Sequence, residues 1–252
     1  MFPSFLPLSV EQLTEPDSIE FATQIQRADI VTSLLPQAIS TSYIHQGKGG
    51  IPIVFLHGFD SSIFEFRRVI PIIAAQREVW ALDLLGFGFT ERLPDCPFSS
   101  ASIGTHLQAF WQTQIQQPMI LVGNLATKFL SNPNVRKSVS EKAYFDRSFV
   151  TADAQLCAAL HLQMPRWSEA LIAFTRSGGY AVVVGGATGN RLSQIQQKTL
   201  ILWGKQDRIL GIAAAEKFRQ NLPNARLQWI DNCGHVPHLE MAQITAQSIL
   251  DL

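Results

Sequence analysis

The stretch Ile51–Asp60, IPIVFLHGFD, decides the fold of this chain. Its first six residues, Ile51–Leu56, form a continuous apolar run. Such a run, unlike an alternating one, is typical of a strand covered on both faces, as in a parallel sheet. Glu78–Asp83 is a second such run. Between them, Ser61–Gln76 has apolar residues at helical spacing, with Asp60 or Ser61 as the predicted N-cap. Strand, helix and strand together predict a βαβ unit.

Further strands and helices follow on both sides of this unit. The sequence predicts four more strands, Ser42–Gln46, Pro118–Gly123, Lys198–Trp203 and Leu227–Ile230, and three more helices, Ala101–Gln114, Ala213–Asn221 and Gln243–Leu252. The stretch Leu125–Arg176 is helical in character and has no strand-like run. We therefore predict an α/β core with a mostly parallel sheet, whose halves are residues 1–124 and 181–252, and a helical lid over residues 125–180.

Composition narrows the classes of partner. Hydrophobic residues make up 46% of the chain and charged residues 16%, and twenty basic residues balance twenty acidic ones. This neutrality argues against nucleic acid, which needs a basic surplus on one face. The three cysteines lack metal-ligand spacing and indicate a reduced interior, so we expect no metal and no cofactor. The apolar N-terminus is short and broken by prolines, which predicts a cytoplasmic protein with at most peripheral membrane contact. We also expect a monomer.

The end of the first buried strand is a candidate anion site. In open α/β sheets, ligands bind at the carboxyl ends of the strands. Gly58 lets the chain turn sharply after His57, which leaves the Phe59 backbone N–H to point at a developing oxyanion. An ordinary strand-to-helix turn is the alternative for this motif alone.

A carboxylate and an imidazole follow later in the chain, each just beyond a predicted strand. Asp207 lies in LILWGKQDRILG, residues Leu200–Gly211, and His235 lies in NCGHVPH, residues Asn232–His238. An acid followed by a histidine, both at strand ends, is the order of the last two members of a Ser, Asp, His triad. His238 is the weaker candidate because it lies one turn onward in the closing helix.

In these segments the chain resembles the α/β-hydrolase superfamily. HGFDSSIFEFRR, LDLLGFGFTER, QPMILVG, LILWGKQDRILG and NCGHVPHLE are similar to its landmark blocks, in the right order. HGFDSS, Phe110-Trp111, SGGY at 177–180 and NCGHVPH further resemble the chlorophyll dephytylases of chloroplasts and cyanobacteria. That resemblance implies cleavage of a hydrophobic ester such as the phytyl ester of chlorophyll, at or near the thylakoid membrane. It also implies Asp207 and His235 as triad members and the Phe59 and Gly58 turn as the oxyanion site.

The serine nucleophile of the family is missing from this chain. After the strand PMILVG the family has Gly-x-Ser-x-Gly, a tight turn that presents the serine hydroxyl. Here Gly123 is followed by Asn124 and then by Leu-Ala-Thr-Lys, with no serine and no second glycine. We therefore expect a sheet short of one strand and one helix, because a block containing the nucleophile, its helix and a strand is absent.

No other residue is a good replacement for the serine. The run VVVGGATGN, residues 182–190, imitates the turn but puts Ala187 in the position of the nucleophile. Thr188 is adjacent and is a very weak candidate, because the turn would present its neighbour. Ser61 and Ser62 begin a helix, where N-capping is the expected role.

Three functional hypotheses remain open. The first is an ester hydrolase by descent, in which Asp207 orients His235 and an apolar pocket accepts the alcohol of the ester. The pocket residues would be His57, Phe145, Trp167 and Phe174, although packing within the lid is the alternative role of these aromatic residues. The second is a non-catalytic protein that binds a lipid or a pigment. The third is an inactive product of an internal deletion.

Overall fold

The computed structural model describes residues 1–123, 133–178 and 192–252, which fall into two compact units. The first unit comprises Met1–Lys128 and Ala152–Gly179, and the second comprises Phe129–Thr151 and Tyr180–Leu252. The predicted lid, residues 125–180, is divided between the two units. A lid that forms a domain of its own therefore stays a prediction.

The first unit contains a five-stranded sheet. Its strands are β1 (Gln26–Ile30), β2 (Ile39–Gln46), β3 (Ile53–Leu56), β4 (Val79–Leu82) and β5 (Ile120–Gly123). The order across the sheet is β1-β2-β4-β3-β5. The β3–β4 and β3–β5 pairs are parallel, whereas the β1–β2 and β2–β4 pairs are antiparallel. The predicted βαβ unit is present as β3 and β4 in parallel, with Ile53 opposite Val79.

The second unit contains a two-stranded parallel sheet, β6 (Thr199–Gly204) and β7 (Ala225–Ile230), in which Thr199 lies opposite Ala225. The α-helices of the described residues are α1 (Pro16–Thr23), α2 (Ile70–Ala74), α3 (Ser100–Phe110), α4 (Pro133–Ala143), α5 (Ala152–Ala159), α6 (Trp167–Arg176), α7 (Ile212–Asn221), α8 (Pro237–Glu240) and α9 (Ala242–Leu250). Helices α4, α7, α8 and α9 belong to the second unit. A π-helical turn, Trp111–Ile115, extends α3.

The burial of the predicted strands is uneven. Every residue of β4 is buried, as are the first three residues of β3. Strand β5 was predicted to be buried, and this is wrong: Leu121 is 52% exposed, and among the described residues β5 is the last strand of its sheet. A continuous apolar run is typical of a strand that other elements cover. The described residues cover β5 less than its apolar sequence predicts.

The single helix predicted over Ser61–Gln76 is also wrong. The segment instead forms a 3-10 turn, Ile63–Phe66, and the short helix α2. Pro71 has no backbone N–H and its ring clashes with the preceding turn, so it is tolerated only near the start of a helix. The N-cap of the 3-10 turn is Ser62, without a side-chain hydrogen bond. Asp60 has a left-handed φ of 52° and no capping role there.

The N-terminal segment packs onto the first unit. Leu6, Val10 and Leu13 are buried, and the backbone N–H groups of Thr14 and Glu15 donate to the Asp153 carboxylate at 2.6 and 3.0 Å. Helix α1 and strand β1, which follow, were not predicted from the sequence.

No helix in the described ranges has the length and apolarity that crossing a bilayer requires.

Asp83, just beyond β4, organises the loops at this end of the sheet. Its side chain is fully buried. One carboxylate oxygen accepts the Ile63 N–H at 2.8 Å, and the other accepts the Phe89 N–H at 2.9 Å and the Ser42 hydroxyl at 2.6 Å. A buried carboxylate is tolerated when such donors surround it. The three bonds therefore hold together the loops that follow β3 and β4.

Gly88 leaves no room for a side chain beside Asp83. Its φ is +53°, and a Cβ there would lie 1.9 Å from Asp83 Oδ1. We predict that Gly88→Ala lowers the free energy of unfolding by about 2–4 kcal/mol, since overpacking and a left-handed backbone are both unfavourable. Urea unfolding monitored by circular dichroism measures the change.

Gly104→Ala is the matched control, because Gly104 lies inside α3 with nothing within 4 Å of the position of a Cβ. It should raise stability by roughly 0.5–1 kcal/mol, the usual gain of alanine over glycine in a helix. Equal effects of the two substitutions would contradict the assignment of a steric limit to Gly88.

Candidate active site

The predicted oxyanion turn follows β3 in the first unit. His57 comes directly after the last residue of the strand, and its side chain is buried. Its Nδ1 lies 2.7 Å from the Gly58 carbonyl oxygen, and its Nε2 accepts the Leu84 N–H at 3.0 Å. Both ring nitrogens therefore bind backbone and brace the turn. The role of His57 as a pocket residue stays a prediction.

Asp60 links this turn to the helical segment that follows residue 152. Its Oδ1 accepts the indole Nε1–H of Trp167 at 2.9 Å and lies 3.3 Å from Nε2 of His161. Asp60 and His161 are both almost completely buried. The polar edge of Trp167, predicted to line the pocket, is thus directed at the turn. The sequence has one sign of this linking role, the carboxylate that directly follows Gly58 and Phe59, but the helical pattern after it predicts a helix N-cap instead.

Phe59 and Phe174 lie together in the first unit. Their ring centroids are 5.7 Å apart, and both contact Phe87, at 5.7 and 5.3 Å. Phe174 is 9% exposed and belongs to an apolar cluster with Leu85 and Phe98. These are the contacts of a residue packed in a core, the alternative role that the sequence left open. Contact of Phe174 with substrate stays a prediction.

The fourth predicted pocket residue, Phe145, belongs to the second unit, whereas Trp167 and Phe174 belong to the first. Its side chain is 38% exposed. Its backbone N–H donates to Glu240 Oε1 at 2.6 Å.

The structure brings the predicted acid and histidine together. Asp207 follows β6 and His235 follows β7, and the Asp207 Oδ2 lies 2.9 Å from the His235 Nδ1. The other oxygen of Asp207 accepts the backbone N–H groups of Ile209 and Leu210 at 2.7 and 3.1 Å. These bonds fix the carboxylate so that it receives the Nδ1–H and leaves Nε2 as the basic atom of the imidazole.

The surroundings of Asp207 favour its charged form. Burial raises the pKa of this carboxyl group, but the hydrogen bond from His235, the charge of that imidazole and the two backbone N–H bonds act against it. Their balance lowers the pKa of Asp207 below its ordinary value of 3.8. The carboxylate is therefore ionised throughout the neutral range and can stabilise an imidazolium.

Cys233, two residues before His235, is a nucleophile type that the sequence analysis did not consider. Its thiol is fully buried and lies 3.7 Å from the Gly234 carbonyl oxygen. Burial and then the charge of Glu240 raise the pKa of this thiol to about 12. Because the thiolate is the reactive form, Cys233 does not replace the missing serine.

Other site predictions fall outside the described residues. Thr188 and Ala187 lie in the range 179–191, and Asn124 lies in the range 124–132. In the parts of the chain that the structure covers, no cluster of His, Cys, Asp and Glu has the arrangement of a metal site. The Phe59 turn belongs to the first unit, whereas Asp207 and His235 belong to the second.

Comparison with known proteins gives a family match over most of the chain. The model of the α/β-hydrolase fold family matches residues 51–124 and 127–242. The chain is 30% identical to the α/β-hydrolase domain-containing protein VTE7 of Arabidopsis thaliana, over 99% of this chain and 90% of that protein. It is 25% identical to a 2-hydroxy-6-oxo-2,4-heptadienoate hydrolase of Pseudomonas putida, over 84% of this chain and 92% of that protein.

Solved structures give the same fold. A meta-cleavage product hydrolase from Pseudomonas fluorescens superposes with a TM-score of 0.74 and 17% identity, covering 89% of this chain and 96% of that one. For a lipase-like protein of Acinetobacter baumannii the TM-score is 0.69 at 18% identity, covering 90% of each chain. At these identities the likeness shows the fold alone.

The lowered pKa of Asp207 leads to a prediction about stability in acid. A carboxyl group whose pKa falls on folding stabilises the native state above its unfolded pKa, and this contribution is lost as the pH falls through the folded value. We expect Asp207→Asn to reduce stability at neutral pH, and the difference from the parent chain to shrink below pH 3.8. Urea unfolding at a series of pH values measures it.

Asp231→Asn is the control for this series. The Asp231 side chain is 70% exposed and pairs with Lys205 at 2.7 Å on the surface. Exposed ion pairs contribute at most about 1 kcal/mol, so this variant should follow the parent chain at every pH. A stability difference for Asp207→Asn that does not depend on pH would contradict the interpretation.

Proposed function

This chain belongs to the α/β-hydrolase family and has its fold, and from that premise we propose that it descends from a carboxylic-ester hydrolase whose activity is impaired because the serine nucleophile is absent. The observation that supports a hydrolytic ancestry most directly is the 2.9 Å contact between Asp207 and His235 at two neighbouring strand ends. The named relatives above include hydrolases, in agreement with this proposal.

In the proposed chemistry, Asp207 holds the imidazole of His235 in the Nδ1–H form. His235 Nε2 would take the proton from the attacking hydroxyl group and later return it to the leaving alcohol. The Phe59 N–H, on its Gly58 turn, would stabilise the tetrahedral oxyanion. The chain has no Gly-x-Ser-x-Gly motif to supply the attacking hydroxyl group.

Three observations support the loss of a block near Asn124. The family model matches the chain in two segments that are interrupted between residues 124 and 127. The alignment with VTE7 has 304 positions, 52 more than the 252 residues of this chain, so at least that many positions face gaps in it. Among the described residues, strand β5, which ends at Gly123, has a neighbouring strand on one side only, and its Leu121 is half-exposed.

For the substrate we propose a hydrophobic ester, with the phytyl ester of chlorophyll suggested by the resemblance of HGFDSS and NCGHVPH to chlorophyll dephytylases. The same resemblance suggests a peripheral position at the thylakoid membrane, and we propose a monomer that needs no cofactor and no nucleic acid.

Two alternatives share the evidence for the missing block. One is a non-catalytic protein that retains a lipid or pigment site. The other is a deletion product without a selected function. The gene sequence that flanks the codons of Asn124 and Leu125 distinguishes them, because it either encodes the missing block or does not.

We predict that a fluorophosphonate does not label this chain, because no serine follows β5 in the family position and Cys233 is a buried thiol. Mass spectrometry of the intact protein after incubation measures the labelling, and a serine hydrolase of the same fold is the positive control. Stoichiometric modification at any serine or threonine, Thr188 included, would refute the proposed loss of the nucleophile.

We also predict that insertion of a family block with Gly-x-Ser-x-Gly between Asn124 and Leu125 restores ester hydrolysis. The matched control carries alanine in place of the inserted serine and should be slower by about a million-fold in kcat, the usual effect of removing the nucleophile. His235→Ala in the restored chain should fall by a similar factor. Equal rates for the serine and alanine inserts would show that the scaffold is not a serine hydrolase.

A further inference from the structure

We propose that Glu240 is the positioning residue for His235: its buried carboxylate binds three backbone N–H groups and thereby fixes the loop that presents the imidazole to Asp207. The importance of this placement rests on the proposed hydrolytic ancestry. The contacts themselves lie entirely within the second unit.

The carboxylate of Glu240 joins three separate pieces of chain. Its Oε1 accepts the N–H of Phe145 at 2.6 Å and that of Asp146 at 2.9 Å, and its Oε2 accepts the N–H of Gly234 at 2.6 Å. Glu240 is the last residue of α8, and it is 6% exposed. The turn after α4, the histidine loop and α8 are therefore tied at one charged group.

The shortness of these bonds agrees with their charge-assisted character. Hydrogen bonds from N–H groups to an ionised carboxylate are about twice as strong as neutral ones, and a carboxylate buried without donors would be strongly unfavourable. Glu240 and its three donors thus depend on one another. Removing the carboxylate would leave three backbone N–H groups, two of them on the turn after α4, without this acceptor.

The histidine loop is held closely on two further sides. The N–H of His235 donates to the Ala143 carbonyl oxygen at 2.6 Å, and a Cβ on Gly234 would lie 2.1 Å from that same oxygen. On the other side, the Gln206 side chain accepts the N–H of Cys233 at 3.0 Å. The backbone that leads into His235 is therefore held at three successive residues, Cys233, Gly234 and His235 itself.

Glu240→Gln tests whether the hydrogen bonds of Glu240, and not only the volume of its side chain, position His235. Glu240→Gln keeps the shape of the side chain but replaces one acceptor oxygen with an NH₂ group, which cannot accept a backbone N–H. The variant must release Gly234 or release both Phe145 and Asp146. Either change frees one of the segments that hold the His235 backbone.

The experiment measures the tautomer of His235 from its imidazole ¹⁵N chemical shifts, at a pH where the ring is neutral. His235→Ala assigns the signals. In the parent chain we expect the Nδ1–H form, which the bond to Asp207 selects. In Glu240→Gln we expect a loss of that form in favour of Nε2–H, while the circular dichroism of the folded chain is retained. This readout does not require hydrolysis, so it can fail or succeed independently of the proposed function.

Glu216→Gln is the matched control, because Glu216 has the same chemistry on the surface of α7, where it pairs with Arg219 at 2.8 Å. It should leave the His235 tautomer unchanged. Glu240→Asp keeps the negative charge but shortens the reach, and we expect it to lose the Nδ1–H form as glutamine does. Retention of that form in Glu240→Asp alone would show that charge and not the backbone bonds matters, which would overturn the proposal.

Two further outcomes decide the proposal. If Glu240→Gln is less stable but keeps the His235 tautomer of the parent chain, Glu240 has a structural role only and the proposal is wrong. If Glu240→Gln does not fold, amide hydrogen exchange of the parent chain replaces it: the amides of Phe145, Asp146 and Gly234 should exchange far more slowly than in an unstructured peptide. Rapid exchange at all three would overturn the proposal.

Discussion

The need of a buried carboxylate for hydrogen-bond donors is the constraint on which both units depend. Asp83 in the first unit and Glu240 in the second each accept backbone N–H groups from chain segments that are otherwise separate, and Asp207 accepts two from its own loop. Because an unsatisfied charge in an apolar interior is so unfavourable, each carboxylate fixes its loops. The strands supply the positions, and these carboxylates determine the conformation of the loops that follow them.

If the chain has lost its nucleophile, as we propose, this arrangement explains how the acid and the imidazole can keep their geometry. The contact between Asp207 and His235 depends on the β6–β7 pair and on groups such as Glu240 and Ala143, all within the second unit. The proposed loss of the nucleophile would remove the chemical step and leave the geometry of the acid and the imidazole in place. On that proposal, a dyad of this kind is evidence of ancestry rather than of present activity.

The sequence predicted the elements whose pattern is local. Buried strands such as β3 and β4 have continuous apolar runs, and the family blocks identified Asp207 and His235 and the fold. The single helix over Ser61–Gln76 was wrong because one proline outweighed a good apolar periodicity. The hydrogen-bond partners of Asp60 and Glu240 could not be predicted for another reason. Trp167 is 107 residues from Asp60 and Phe145 is 95 residues from Glu240, and no local pattern specifies such pairs.

Strand β5, which precedes the proposed loss, is the last strand of the first sheet among the described residues. Ile53, Val54 and Phe55 of β3 are completely buried, although β3 lies directly beside β5. Leu121 of β5 is half-exposed, but β5 has only four residues, and short edge strands are less prone to pair with other chains. Total stability is only about 5–15 kcal/mol, so a block that supplied the central core could not be lost without unfolding. The core of this unit includes the buried residues of β3 and β4, so on the proposed loss of a block we expect an inactive but ordered protein rather than one that cannot fold.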